Sequence, residues 1–404
     1  MTGEETVRTR TRGGGSTWRL AAAAALLAWS GAGAQAADVE VALGICAPFS
    51  GVAKELGVQM RIGLEVAFAA ANEAGGVHGR KLRLTAMDDG YDPARTVTCM
   101  KELVEGKKVL AVIGSVGTAT AAVAVPYANE KGVIFFGAFS GASLLRNDPP
   151  DRYVFNYRAS YAEETAAIVR HLVEVRRLDP ARIAVFAQDD AFGQAGFDGV
   201  ARAMRHYKRD PAKVLRVGYK RNSADVDEAV KAVKKAGGQV KAVVMVATYK
   251  PAARFIEKLR DAGVDLVFTN VSFVGSNELA EELSQLGPKY AEGVLITQVV
   301  PSPASQASVI LKFREQLKRH AAGEKAGFVA LEGWLVGRLF LEGVQRAGQK
   351  LDADGLIEAL ETIRGLDLGI GVPLTFSPSE HQASHRIWGT VMDGKGNFSA
   401  IELE

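Results

Sequence analysis

Short apolar segments alternate with amphipathic ones along most of the chain, and this alternation constrains the fold more than any other feature. The runs at 39–47, 82–87, 109–113 and 133–136 are predominantly apolar, which is typical of parallel strands covered by helices on both faces. Between the first two, residues 56–71 have helical periodicity. The first third of the chain therefore predicts a strand–helix series.

The same pattern restarts near residue 161. Helices are predicted at 161–175, 193–207, 226–236 and 252–262, and strands at 182–187, 214–219, 242–247, 266–268 and 294–299. A helical block follows at 305–320, 329–347 and 356–364, with short strands around 372–376 and 387–392. Two successive series, in a chain too long for one core, predict an α/β protein with two doubly wound lobes.

The N-terminus has the features of a secretory signal peptide. Four arginines up to Arg19 precede the apolar run 20–29, and Ala34-Gln35-Ala36 gives the small-x-small pattern of a cleavage site. The run is about half of the ~20 residues that a membrane-spanning helix needs. We therefore expect residues 1–36 to be cleaved near Ala36 and the protein to be exported. The alternative is a disordered tail rich in Arg, Gly and Ala.

The net charge of the chain argues against nucleic acids and membrane surfaces as partners. The full chain has 49 basic and 46 acidic residues, and removing four Arg and two Glu with residues 1–36 leaves 45 against 44. A nearly neutral protein lacks the basic footprint of nucleic-acid binding. It also lacks the basic cluster of a membrane-surface binder.

Two cysteines, Cys46 and Cys99, lie 53 positions apart. An oxidising compartment allows a disulfide between them, whereas two buried small hydrophobic side chains are the alternative, and the sequence leaves both open. No C-x-x-C pair is present, so metal and redox chemistry have no support.

Enzyme motifs are absent from the sequence. It contains no G-x-S-x-G elbow, no phosphate loop and no dinucleotide fingerprint. His381 and His385 lie in a Ser/Pro/Gln-rich stretch, where a solvated loop is expected rather than a metal site. The acidic pairs at 88–89 and 189–190 follow strands and are interpreted as turns and helix caps. We predict no catalytic residue, no metal ligand and no cofactor.

Six motifs in order resemble one family. They are PFSG at 48–51, NEAGGVHGRK at 72–81, DDGYDP at 88–93, IGS at 113–115, DAFGQ at 190–194 and YKP at 249–251. Over residues 38–404 the chain resembles the leucine/isoleucine/valine-binding proteins, the periplasmic solute receptors of ABC importers.

The resemblance implies a type I periplasmic-binding-protein fold with two lobes joined by a three-crossing hinge. Crossings near Tyr157, Val299 and Val372 would assign residues 38–157 and 299–372 to lobe one. Lobe two would then contain residues 158–298 and 373–404.

The resemblance also implies ligand contacts on lobe one. Thr118 and Ala119 match the segment that binds a carboxylate at the start of a helix, whose free N–H groups favour an anion; the alternative for Thr118 is a simple helix cap. Ala138 would offer its backbone carbonyl and Ser140 its hydroxyl. Leu56 would line the pocket for the ligand's side chain.

On lobe two, Phe192 and Tyr249 match the family's aromatic walls, and Ser272 matches the position where amino-acid-binding relatives carry an acid for the ligand's ammonium. A buried ammonium without such a partner costs several kcal/mol. Either Asp189 or Asp190 takes that role, or the ligand has no ammonium group.

The family's usual short disulfide is absent, because Tyr91 and Gly117 occupy its positions.

The function implied is that of a periplasmic, monomeric, non-enzymatic receptor in an amino-acid ABC transporter. It would capture a small carboxylate-bearing ligand, such as a branched-chain or other amino acid, and deliver it to a permease in the inner membrane. The alternatives are a ligand that is an aromatic acid, a keto acid or a short amide, a sensor subunit of the same fold, and a secreted α/β enzyme.

Overall fold

The structure, a computed structural model, describes residues 40–403, so the predicted signal peptide lies outside the described residues. The strands are β1 Glu40–Ala47, β2 Lys81–Asp88, β3 Ala111–Ile113, β4 Ile134–Phe136, β5 Val154–Phe155, β6 Ile183–Gln188, β7 Arg216–Tyr219, β8 Ala242–Val246, β9 Val267–Asn270, β10 Leu295–Gln298, β11 Leu366–Asp367, β12 Pro373–Leu374, β13 Trp388–Met392 and β14 Phe398–Ile401.

The α-helices are α1 Lys54–Glu73, α2 Pro93–Lys101, α3 Thr118–Lys131, α4 Tyr161–Arg170, α5 Ala191–His206, α6 Asp227–Ala236, α7 Tyr249–Asp261, α8 Ser276–Leu286, α9 Pro288–Ala291, α10 Ser308–His320, α11 Phe328–Ala347 and α12 Ala353–Leu360. A short 3₁₀ helix, Ser272–Val274, lies between β9 and α8.

Two large sheets organise these elements. The five-stranded sheet has the order β2-β1-β3-β4-β5, and all of its pairings are parallel. The seven-stranded sheet has the order β14-β13-β10-β9-β8-β6-β7, with antiparallel pairing only where β13 and β14 join. Their central strands are buried along their whole length, as the continuous apolar runs predict.

Capping residues mark the starts of two helices that follow strands. The Asp92 side chain accepts hydrogen bonds from the Ala94 and Arg95 N–H groups at the start of α2, which is typical of an N-cap. Ser160 and Glu163 form a capping box that begins α4. Both helices therefore begin at residues that the sequence specifies.

The late helical block packs against the first helix. Backbone of α1 and α11 approaches closely, because a Cβ at Gly333 would lie 2.4 Å from the Met60 carbonyl oxygen. Only glycine allows this approach without displacement of one helix. The helices at 308–360 thus cover the five-stranded sheet although they follow β10 of the seven-stranded sheet in the chain.

Cys46 and Cys99 form a disulfide, with Cα atoms 6.1 Å apart, which resolves the question that the sequence left open. The bridge is buried beside Leu103 and Met100 and ties β1 to α2. Within residues 40–403, no helix is long and apolar enough to cross a membrane.

The segment containing His381 differs from the expected solvated loop. His381 is 4% exposed, its ring stacks on Phe155 with centroids 3.8 Å apart, and Phe376 also packs on Phe155. Since Phe155 belongs to β5, these contacts favour a third crossing about ten residues after Val372. The lobe boundaries stay a prediction.

Candidate functional site

Loops at the carboxyl ends of the two sheets meet at one seam. Phe139, after β4, packs on Phe273, after β9, with ring centroids 5.1 Å apart. The Gln188 side chain at the end of β6 donates a hydrogen bond of 3.2 Å to the Tyr91 hydroxyl, which follows β2. Open α/β sheets bind ligands at these strand ends, so the seam is the candidate site.

Thr118 and Ser140 lie together on the five-stranded side of the seam. Their hydroxyl oxygens are 2.7 Å apart, and both side chains are fully buried. Thr118 is the first residue of α3, with Ala119 beside it in the same turn. The Ala138 carbonyl already accepts the Ser140 N–H at 2.8 Å, which leaves it one further lone pair.

Two further polar groups flank this hydroxyl pair. Burial raises the pKa of Tyr161 to about 12, and Arg158 with the Ser140 and Thr118 hydroxyls partly offsets that rise. The Tyr161 hydroxyl makes no hydrogen bond of normal geometry among the described residues, and neither does the Nη1 atom of the fully buried Arg158. Buried polar groups without partners mark places where a ligand or water belongs.

Arg158 is held in place from both sides of the seam. Its Nη2 contacts the Ser272 hydroxyl and lies 3.7 Å from Glu164, its Nε lies 3.5 Å from Glu332 of α11, and its guanidinium lies 4.6 Å from the Phe139 ring centroid. Two carboxylates and one aromatic face therefore offset the cost of burying this cation.

Ser272 is engaged by protein groups. Its N–H and its hydroxyl both donate to Glu164, at 2.8 and 3.0 Å, while Arg158 donates to its oxygen. Thr297 adds another hydrogen bond to Glu164, at 2.6 Å. At the position where the family resemblance implies an acid, this protein has a hydroxyl within a buried ion-pair network.

Of the two aspartates that were candidates for the ammonium partner, Asp190 is engaged by protein groups and Asp189 is exposed. Asp190 caps α5 through the Phe192 N–H, accepts the Gln188 side chain at 2.7 Å, and lies 3.2 Å from Arg221. Asp189 packs against Gly218 on the neighbouring strand β7. None of these contacts places either carboxylate beside Ser272.

Aromatic side chains form the wall of the seam. Phe192 lies 4.5 Å from Phe273 and 5.2 Å from Tyr161, centroid to centroid. Phe273 also contacts Tyr91 at 6.3 Å. The predicted wall residue Phe192 thus belongs to a cluster centred on Phe273.

Leu56 and Tyr249 meet at the outer end of the seam. A Cβ at Gly275 would lie 2.6 Å from Leu56 and 3.5 Å from the Tyr249 ring, and both side chains are buried. Gly275 has φ of +76°, a conformation that also favours glycine. The chain from Ser272 to Gly275 connects the inner and outer ends of the site.

Tyr91 and Gly117, which occupy the positions of the family's usual short disulfide, are in contact. The Tyr91 ring packs directly on Gly117, where a Cβ would overlap it, and Gly117 has φ of +109°. An aromatic ring resting on a glycine joins these loops where the relatives use two cysteines.

Sequence reasoning missed Arg158, Tyr161, Phe273 and Glu332. The sequence offers one weak indication of Arg158. A charged residue that follows a buried strand and precedes a capping box is expected at the carboxyl edge of a sheet, where ligands bind. Phe273 is next to the predicted Ser272, but an aromatic residue there is ordinarily core.

Comparisons with known proteins agree with this geometry. A model of the periplasmic binding protein family matches residues 40–397. An amino acid binding protein of Pseudomonas aeruginosa is 26% identical over 258 residues, covering 64% of this chain and 67% of the relative. Leu/Ile/Val-binding protein homolog 3 of Brucella melitensis is 24% identical over 349 residues, covering 85% and 89%.

Solved structures show the same fold. A possible leucine/isoleucine/valine-binding protein from Rhodopirellula baltica superimposes with a TM-score of 0.86 at 36% identity, over 91% of this chain and 97% of that one. A branched-chain amino acid ABC transporter protein from Thermus thermophilus with bound valine gives 0.79 at 20% identity, over 90% and 95%. These findings give the chain the type I periplasmic-binding-protein fold. It belongs to the leucine/isoleucine/valine-binding proteins of the periplasmic binding protein family.

Proposed function

We propose that this protein is the solute-binding component of an ABC importer and captures a small carboxylate-bearing ligand by closure of two lobes. The supporting observation is the buried seam where Thr118, Ser140, Tyr161 and Arg158 converge. Hydroxyl donors, a helix N-terminus and a cation together favour an anion. Family membership supports a periplasmic location, and the signal peptide predicted at 1–36 would deliver the protein there.

Binding would act as a population shift. One side supplies the polar head contacts through Thr118 and Ser140, and closure adds the wall formed by Phe192 and Phe273. Affinity that exists only in the closed state shifts the equilibrium towards it. An inner-membrane permease would recognise the closed monomer, and the ligand would leave unchanged, since the proposed role includes no reaction.

Ligands without an α-ammonium group are the second candidate. The Glu164 carboxylate already accepts hydrogen bonds from Ser272, which in turn accepts one from Arg158, so an α-ammonium would find no free carboxylate at that position. An aromatic acid, a keto acid or a short amide then fits the inner end better than leucine. The same fold in a sensor subunit would use the site identically.

The test is calorimetry and thermal shift of purified residues 37–404 with amino acids, keto acids, aromatic acids and short amides. A ligand should raise the melting temperature through mass action. Thr118→Ala should weaken its binding at least about tenfold, while the exposed helix variant Thr98→Ala serves as the matched control and should bind normally. Equal binding by both variants would contradict the assigned head-group contacts.

A further inference from the structure

We propose that Glu278 and the hydroxyl of Tyr249 form a tail subsite that binds a cationic or N–H-donating group on the far end of the ligand. This inference rests on the proposed receptor function and extends it to ligand chemistry. The ligand would carry a carboxylate at the Thr118–Ser140 end and an amine, guanidine or amide at the other.

Glu278 is an acid without a cation. Its Oε2 is buried and has no hydrogen-bond partner, and no Lys, Arg or His lies within ion-pair distance of it among the described residues. Burial raises its pKa to about 7, and the nearby acids Glu55 and Glu281 contribute to the rise. An uncompensated buried carboxylate is costly, so a ligand cation would recover that cost.

Tyr249 provides the second, independent observation. Its side chain is 2% exposed, and its hydroxyl makes no hydrogen bond of normal geometry within residues 40–403. Burial raises its pKa well above the ordinary value; the Glu55 backbone N–H opposes the rise, and the charges of Glu55 and Glu278 add to it.

Gly275 brings the two groups together. A Cβ there would lie 2.9 Å from Glu278 Oε2 and 3.5 Å from the Tyr249 ring, and it would also touch Leu56. Any side chain at this position would fill the space between the acid and the ring. The acid and the ring therefore lie next to each other beside Gly275, with no side chain between them.

The subsite opens into a groove of about 720 Å³ between the two sides of the molecule. Two of the other acids there are paired with lysines, because Lys54 lies 3.3 Å from Glu55 and Lys250 lies 4.0 Å from Glu282. Glu278 is the acid in this groove that has a buried carboxylate oxygen without a partner among the described residues.

The experiment uses ligand pairs that differ in one group. Lysine and norleucine, and 6-aminohexanoate and hexanoate, differ only by the terminal ammonium, whereas norleucine and hexanoate differ only by the α-ammonium. Shorter homologues of four and five carbons cover the unknown spacing. Calorimetry on residues 37–404 compares the wild type with Glu278→Gln, Tyr249→Phe and the groove control Glu282→Gln.

We expect the amino-terminated member of a pair to bind at least about tenfold tighter than its methyl-terminated partner. Glu278→Gln should remove that preference, Tyr249→Phe should reduce it, and Glu282→Gln should keep it. Should Glu278→Gln fail to fold, Tyr249→Phe alone decides the outcome. Two results would overturn the tail subsite: carboxylates that bind with no preference within the pairs, or a preference that survives Glu278→Gln. In either case the receptor function would stand. Failure of the wild type to bind any carboxylate contradicts the receptor function itself.

Discussion

Phe273 packs against Phe139 across the seam between the two sheets, with ring centroids 5.1 Å apart. Phe273 also lies against Phe192 and Tyr161 of its own side. The structure therefore describes an arrangement in which the loops of both sheets are in contact. Such a contact is lost when the two sides separate, so it stabilises the closed form.

Removing the Phe273 ring tests this role. Phe273→Ala should lower the closed population and weaken ligand binding about ten- to hundredfold, since aromatic truncation costs several kcal/mol in a packed site. X-ray scattering gives the radius of gyration and calorimetry the affinity. Phe197→Ala, at a partly exposed ring under Arg216, is the control. An unchanged affinity and radius would contradict the role of Phe273 in closure.

Arg158 and Glu332 should respond very differently to substitution. Arg158→Leu leaves Glu164 and Glu332 buried without a cation, so we expect a loss of about 3–5 kcal/mol in the free energy of unfolding. Burial raises the pKa of Glu332 to about 7, so Glu332→Gln should cost less than about 1 kcal/mol at neutral pH. Urea unfolding measures both, and equal losses would contradict this assignment.

Glu163 predicts a pH dependence of stability. Burial would raise its pKa, but hydrogen bonds from His385, Ser160 and Gln382 outweigh burial and lower it to about 2. Because the folded pKa lies below the ordinary 4.5, this stabilisation is complete above pH 4.5 and is lost as the pH falls towards 2. Glu163→Gln should cost about 1–2 kcal/mol at pH 7, allowing for partial exposure.

Unfolding titrations from pH 3 to 7 test the Glu163 assignment, with Glu228→Gln on α6, whose side chain is 90% exposed, as the control. The difference between wild type and Glu163→Gln should shrink as the pH falls. A difference that stays constant across this range would show that the Glu163 carboxylate is not the group responsible.

The disulfide predicts sensitivity to reduction. Cys46 and Cys99 close a loop of 53 residues, so opening it should lower the free energy of unfolding by about 2–4 kcal/mol. Urea unfolding with and without dithiothreitol measures the loss, and a Cys46→Ser/Cys99→Ser double variant should be insensitive to the reductant. Identical wild-type curves under both conditions would argue that the bridge contributes nothing.

The sequence predicts the fold well because continuous apolar strands and helix caps are local signals. Asp190, in one of the acidic pairs interpreted as turns and helix caps, does cap α5. The two-residue strand β5 was missed, since it is too short to show a period. The helices predicted at 193–207 and 252–262 begin two and three residues too late, since α5 begins at Ala191 and α7 at Tyr249. The helix start at Thr118 was implied by the family resemblance.

The electrostatics of the site could not be predicted in the same way. Arg158 meets Ser272 and Glu332, which lie 114 and 174 positions further along the chain, and such pairings have no local sequence pattern. Asp190 was a candidate partner for a ligand ammonium, yet it caps α5 and pairs with Arg221. Only the assembled seam shows which charges are already neutralised.

Binding stoichiometry together with ligand recovery tests the central claim most directly. Purified residues 37–404 are titrated calorimetrically with the carboxylate that gives the largest thermal shift, and the ligand is then recovered and analysed by mass spectrometry. The proposed function predicts one saturable site per chain, unchanged ligand, and affinity that falls at least about tenfold in Thr118→Ala. A chemically converted ligand, or no saturable binding by any carboxylate, would contradict it.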